Sequence, residues 1–329
     1  MSSQEPPIFQ ISFSAKINLD KDHKKNKANR LIDDKAYQDK ANYLLKILLE
    51  IEAVRFDESN DRLVIANFYA NNEKSVWPLP MLGYVAEAIV VHECHSNATK
   101  NERWSKCARK IKHNIPTDFS NSNVYKNNNS LFETPIIYEP LSSASLKDYI
   151  AIGTGLPTTK TNYPGIYNHR SDRDICWVNK RYNDVKQLSD IEARERAEQN
   201  FASIQLKVSC GKRGDYVTNY FKEKPCNRLY PVVYFDLGND FDQVRRNLIN
   251  INSEKEDTLF YNNNENYSRV ELVDMMLIRG KSIDPDLHEE LLFYKHLLNQ
   301  IFRGKYSFYE LKDENILMSL ISEYVNHNS

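Results

Sequence analysis

Residues 203–209, Ser-Ile-Gln-Leu-Lys-Val-Ser, restrict the fold of this chain more than any other segment. In a β-strand successive side chains point to opposite faces. Ile204, Leu206 and Val208 then form an apolar face that must enter a core, and Gln205, Lys207 and Ser209 form a polar row on the other face. An amide and a lysine set into a buried strand are costly unless polar groups lie opposite them. The segment therefore predicts a strand packed on one side and facing a polar site on the other.

The surrounding pattern alternates between strand and helix. Residues 8–19 alternate as a strand, and residues 20–30 are lysine-rich and read as an exposed loop. Residues 34–52 place Ala41, Leu44, Leu45, Leu48 and Leu49 at helical spacing. Segments 54–56 and 63–69 read as a hairpin around Asn60-Asp61. The Trp77-Pro78-Leu79-Pro80 breaker precedes a helix from about Met81 that runs, with a break near Ser96-Asn97, to Lys112. Residues 114–131 and 153–170 read as loops and 135–138 as a short strand. Strands are predicted at 174–178, 202–210 and 229–237, with helices at 184–201 and 241–251. An Asn-rich linker at 262–266 leads into two or three helices. This alternation predicts an α/β (α+β) fold with a central mixed β-sheet flanked by helices. The expected organisation is a strand, helix and hairpin region (1–80), a core (81–251) and an appended C-terminal helical layer (268–329).

Asp174 opens the strand before the polar row, with Asp172 two residues earlier on the same face. Glu87, in Leu82-Gly83-Tyr84-Val85-Ala86-Glu87, lies on the helix before it. An acid on a helix, an acid at a strand start, Gln205-Leu206-Lys207 on the next strand and then a further apolar strand resemble the PD-(D/E)xK nuclease superfamily over residues 81–240. The resemblance implies a restriction-endonuclease-like core and a metal-dependent endonuclease, hydrolysing phosphodiester bonds of double-stranded DNA in restriction or anti-phage defence. It implies Asp174, Gln205, Lys207 and Glu87 as catalytic residues, with Asp174, Glu87 and Gln205 as ligands of Mg²⁺ and Mn²⁺ as its substitute. Such chemistry needs a hard cation with oxygen ligands. The cation lowers the pKa of a bound water, and a lysine beside it stabilises developing charge. Gln205 stands where the family usually has Glu or Asp, and an amide oxygen brings no charge. The alternative is a degenerate nuclease fold, serving as a non-catalytic assembly or nucleic-acid-binding protein.

Charge is uneven along the chain. The net charge is −1, yet residues 251–329 carry 8 Lys/Arg against 14 Asp/Glu. Nucleic acid is therefore expected on the first 250 residues, and the acidic C-terminal helices are expected to hold a partner protein or a second copy. Arg103, Lys106, Lys110 and His113 recur at helical spacing and would form a phosphate-binding stripe. Arg170, with Tyr163, Tyr167 and His169, would meet the strand from the long loop. His92-Glu93-Cys94-His95 and Cys107 are metal-capable, but their spacing does not match paired zinc ligands. Gly153-x-Gly155 lacks a phosphate-loop lysine and reads as a plain loop. Five scattered cysteines, polar residues 1–7 and no apolar run of about 20 residues lead to the expectation of a cytoplasmic protein with no membrane segment.

Overall fold

The computed structural model describes residues 24–57, 62–65, 78–113, 136–141, 147–168, 173–180, 201–211, 215–223, 230–254, 267–303, 305, 307 and 310–328. The strand expected at 8–19, all but the last residue of the helix expected at 184–201, the linker at 262–266, and Asp172, His169 and Arg170 lie outside these residues.

Helix α1 (Lys24–Glu50) absorbs most of the lysine-rich stretch read as a loop. That stretch contains no Gly or Pro to interrupt a helix. The helix buries Ala41, Leu44, Ile47 and Leu48, and Ile51 just past its end is buried too. It ends with the Ala53 N–H donating to the Leu48 carbonyl at 3.0 Å and the Glu52 N–H to the Leu49 carbonyl at 3.1 Å. Glu52 takes the left-handed conformation (φ 55°) that this termination requires. Strands β1 (Val54–Asp57) and β2 (Arg62–Ile65) form the expected antiparallel hairpin.

Helix α2 (Pro78–Ser96) begins on the prolines themselves, which the first turn of a helix tolerates. Met81, Leu82, Val85, Ala86, Ala88, Ile89 and Val90 are all buried, as suits a helix enclosed on nearly every side. The break near Ser96-Asn97 is real. Asn97 caps α3 (Ala98–Ser105) by accepting the Lys100 N–H at 3.1 Å. The helix does not continue to Lys112. Residues Arg109–His113 form strand β3, paired antiparallel with β4 (Ile136–Pro140). A ladder partner distant in the chain overrides the local helical spacing there.

Strand β5 (Tyr149–Gly153) was not legible as a strand, and β6 (Ile175–Asn179), β7 (Ala202–Ser209) and β8 (Val232–Asp236) lie within about one to three residues of the expected strands. Among the described residues the main sheet has seven strands, with the path β4-β3-β7-β6-β5. Those four pairings are antiparallel. From Gln205 onward, β7 instead pairs in parallel with β8.

The 153–170 loop contains α4 (Pro157–Asn162), and α5 (Asp215–Glu223) is the crossover between β7 and β8. After β8 come α6 (Phe241–Glu254) and α7 (Arg269–Met276). Strand β9 (Leu277–Arg279) then pairs in parallel with β8. The C-terminal region is therefore not helical throughout, because it also supplies a sheet strand. One turn, α8 (Gly280–Ile283), leads into α9 (Pro285–Phe302), and α10 (Glu314–Asn328) follows.

One face of the sheet places Ala151, Ile175, Trp177, Ile204, Leu206, Val208, Val233 and Phe235 in a single core with α1, α2, α9 and α10. The other face places Val232 and Tyr234 against Val217, Phe221, Val244, Leu248 and Leu272. Helices thus cover both faces of a mixed sheet, as the strand-helix alternation predicts. Among the described residues no helix is long and apolar enough to cross a membrane. Cys94, Cys107 and Cys176 are buried and unbridged.

His288 on α9 is 2% exposed and stacks on Phe235 with ring centroids 6.3 Å apart. Burial lowers its pKa, Lys281 and Arg279 add to the lowering, and Asp236 and Glu289 oppose it. The unfolded chain therefore takes up the proton first. The contribution of His288 is fully present above about pH 6.5 and is lost as pH falls below it. The thermal midpoint of His288→Leu should fall less steeply than that of the natural chain between pH 6.5 and 5. Parallel curves would remove His288 from the acid response.

Candidate active site

The site is built where β6 begins. Ile175 pairs with Ile204, and the Asp174 N–H donates to the Ile204 carbonyl at 2.9 Å. Asp174 is thus set opposite Gln205. The Gln205 amide Nε2 donates to both Asp174 carboxylate oxygens, at 3.0 and 2.9 Å. The next residue along β7, Leu206, lies past the start of β6, and its N–H donates to Asp174 Oδ2 at 2.6 Å instead of to a strand carbonyl. The carboxylate thereby caps the ladder and is held in one orientation. Gln205 is 5% exposed, and among the described residues its Oε1 accepts no hydrogen bond.

Lys207 shares the Gln205 face by strand alternation. Its ammonium lies 4.5 Å from the centroid of the Tyr220 ring on α5, an attraction between cation and ring quadrupole. Helix α2 packs on β5 and β7 and brings in Glu87, which is 3% exposed. Burial pushes the Glu87 carboxyl well above the usual carboxylate range, and the Asp174 carboxylate raises it further. The Gly155 N–H, donating to Oε1 at 3.3 Å, and the Lys207 ammonium pull in the other direction. Glu87, Asp174, Gln205 and Lys207 therefore come together, although they span 120 residues of sequence.

The Gly-x-Gly segment, read from sequence as a plain loop, makes room for this arrangement. The Thr154 N–H donates to the Asp174 carbonyl at 2.7 Å, which sets Gly153 and Gly155 beside the acid. A Cβ on Gly153 would lie 2.6 Å from Leu156 Cδ1 and 2.8 Å from Glu87 Oε1. Gly153→Ala should therefore displace Glu87 and cost about 1–3 kcal/mol of stability. Gly83→Ala on α2, where an added methyl meets nothing within 4 Å, should be neutral or stabilising. Thermal melts of the two variants test the contrast, and equal melting would show that Gly153 is not under steric constraint.

The remaining sequence candidates are dispersed. Arg103 lies on α3 and Lys106 is its C-cap residue, whereas Lys110 and His113 lie on β3, so the four do not share a helix face. The helix stops because Ala108 and Arg109 enter the sheet, with the Leu141 N–H donating to the Ala108 carbonyl and Arg109 paired with Ser203. Arg103 donates to the Ile283 carbonyl at 3.3 Å, and Lys106 pairs with Glu102 at 2.9 Å. Arg170 lies outside the described residues. In the metal-capable segment, His92 Nε2 is 2.8 Å from Glu50 and Nδ1 3.2 Å from the Tyr43 hydroxyl. His95 bonds the Ala151 carbonyl at 2.6 Å, Glu93 pairs with Lys100, and Cys94 is buried.

His92, His95, Glu50, Gly153 and Tyr163 line a cavity of about 200 Å³ that does not include Asp174, Gln205 or Lys207. Among the described residues no three His, Cys, Asp or Glu side chains are grouped to hold a metal ion. The Glu87–Asp174 site offers two carboxylates and an amide.

Comparison with protein families, characterised proteins and solved structures returned no match.

Proposed function

We propose that the chain is a divalent-cation-dependent nuclease whose reaction centre is formed by Glu87, Asp174, Gln205 and Lys207. The observation that carries this reading is the meeting of a helix acid, a strand-start acid and a Gln-x-Lys row at one edge of a sheet. The order of elements supports a restriction-endonuclease-like core: α2, then antiparallel β5, β6 and β7, then α5 and parallel β8. DNA is the proposed substrate, in restriction or anti-phage defence.

The donor set suits Mg²⁺, with Mn²⁺ as a substitute. Glu87 and Asp174 supply carboxylate oxygens, and the buried, unbonded Gln205 Oε1 supplies a neutral one. When bound, the cation lowers the pKa of a water and neutralises phosphate charge. The chain's own groups do the rest. Gln205 and the Leu206 N–H orient Asp174, and the Gly153–Gly155 turn positions Glu87. Lys207, held over Tyr220, places a positive charge where the phosphate becomes more negative in the transition state.

One observation favours a second reading. Gln205 turns its NH₂ toward Asp174, so Asp174 is satisfied without a cation. A non-catalytic nucleic-acid-binding or assembly domain, joined to a partner or a second copy through the C-terminal helices, would keep such a clamp. Two measurements separate the readings. The first is cleavage of DNA and RNA in Mg²⁺, Mn²⁺ or EDTA. The second is the thermal midpoint of Gln205→Glu. Without metal, the new carboxylate faces Asp174 and Glu87 and should destabilise the fold. With Mg²⁺ or Mn²⁺ the lost stability should return through binding to the folded state, with cleavage retained or raised. Destabilisation without metal rescue, together with no cleavage by the natural chain, would establish the non-catalytic reading.

A further inference from the structure

Tyrosines from three separate elements lie in the segments that build the Glu87–Asp174 site. Tyr84 is one turn before Glu87 on α2, and its ring edge lies 3.9 Å from where a Gly155 Cβ would be. Tyr167 follows α4. Its neighbour Asn168 donates to the Thr154 carbonyl at 2.8 Å, and the Thr154 N–H donates in turn to the Asp174 carbonyl. Tyr216 is the second residue of α5, four residues before the Tyr220 that lies under Lys207, so the two share a helix face. Tyr216 is 56% exposed. The Tyr84 hydroxyl is held above its ordinary pKa first by burial and then by Glu87, Asp174, Tyr167 and Tyr216.

An aromatic side chain exposed to this degree contributes little to a core. Its flat face suits a planar partner. In a duplex the base faces are stacked on one another, and the protein meets phosphates and groove edges, which call for Arg, Lys and amide donors. An unpaired strand exposes its base faces, and aromatic side chains beside a cationic track bind it without reading sequence. Cations flank these segments: Lys160 lies 5.9 Å from the centroid of the Tyr167 ring, and Lys207 lies over Tyr220, one turn after Tyr216.

We propose that the nucleic-acid strand presented to Asp174 and Glu87 is unpaired at that point, with its bases stacked on Tyr84, Tyr167 and Tyr216. The proposal rests on the nucleic-acid reading of the same carboxylates. It makes the substrate an overhang, a loop, a fork or a single strand, with the phosphate beside Lys207 and the bases on the tyrosine rim.

The test uses the full chain in EDTA, so that binding is read without cleavage. Fluorescein-labelled 20-nucleotide DNA and RNA strands are titrated by anisotropy, alone and annealed to their complements. Single strands should bind at least tenfold more tightly than duplexes. Tyr167→Ala and Tyr216→Ala should each weaken single-strand binding about 5- to 150-fold, the range for one stacked base, while the Tyr→Phe variants bind like the natural chain. Tyrosine-dependent binding of either the DNA or the RNA strand supports the proposal, and the tighter of the two identifies the sugar. Duplex binding as tight as single-strand binding, or Ala variants that bind as well as the natural chain while melting at its temperature, would overturn it. Failure of the nuclease reading looks different: tyrosine-dependent binding persists, yet neither Mg²⁺ nor Mn²⁺ supports cleavage.

Discussion

Lys207→Ala is expected to lower metal-dependent cleavage by about 10²- to 10³-fold, the cost of removing one preorganised group that faces developing charge. The fold should survive. Lys207 is only half-buried, and its contact with Tyr220 is worth about 0.5–2 kcal/mol. Binding of an uncleaved strand should fall much less than the rate, because a group that acts mainly in the transition state changes kcat more than ground-state affinity. Lys207→Arg is the informative companion. It keeps the charge but spreads it over a planar fork, and so should recover part of the rate. Single-turnover cleavage rates, read beside thermal melts, check both variants. Cleavage by Lys207→Ala at the natural rate would remove Lys207 from the reaction centre.

Asp174→Ala should lose cleavage and stability together. The carboxylate accepts the Gln205 amide on both oxygens and the Leu206 N–H on one. Its removal leaves two donors without an acceptor, at roughly 1–3 kcal/mol each. Asp174→Ala in a Gln205→Leu background should cost less than Asp174→Ala alone, since the orphaned amide is gone. This non-additivity is what a direct contact produces. Excess Mg²⁺ or Mn²⁺ should restore little of the lost stability, because the hydrogen bonds depend on the carboxylate itself. A variant that melts like the natural chain would show that the clamp carries no energy. A variant that also cleaves at the natural rate would end the assignment of Asp174 as a ligand.

The parts of this site that were legible in the sequence are those written in local periodicity. The two-residue alternation of 203–209 places Ile204, Leu206 and Val208 in the core and Gln205 and Lys207 on the opposite face. The apolar runs after Asp174 and Leu229 mark β6 and β8, and the apolar stretch after Pro80 marks α2 with Glu87 on it. Each of these reports how one segment alternates between burial and solvent, and neighbouring residues alone decide that.

The remainder was decided by partners distant in the chain. Arg103, Lys106, Lys110 and His113 have helical spacing, yet residues 109–113 are a strand because β4 and β7 offer them ladder hydrogen bonds. The C-terminal region reads as helical, yet residues 277–279 complete the sheet beside β8. Gly153 and Gly155 read as loop residues, and their role follows from the approach of Glu87 from another element. The register that sets Asp174 opposite Gln205 is likewise invisible locally, since strand pairing joins segments about 30 residues apart. Burial pattern is a property of a segment and can be read along the chain. The register of a sheet and the convergence of acids at its edge depend on packing between segments, and only the folded chain determines them.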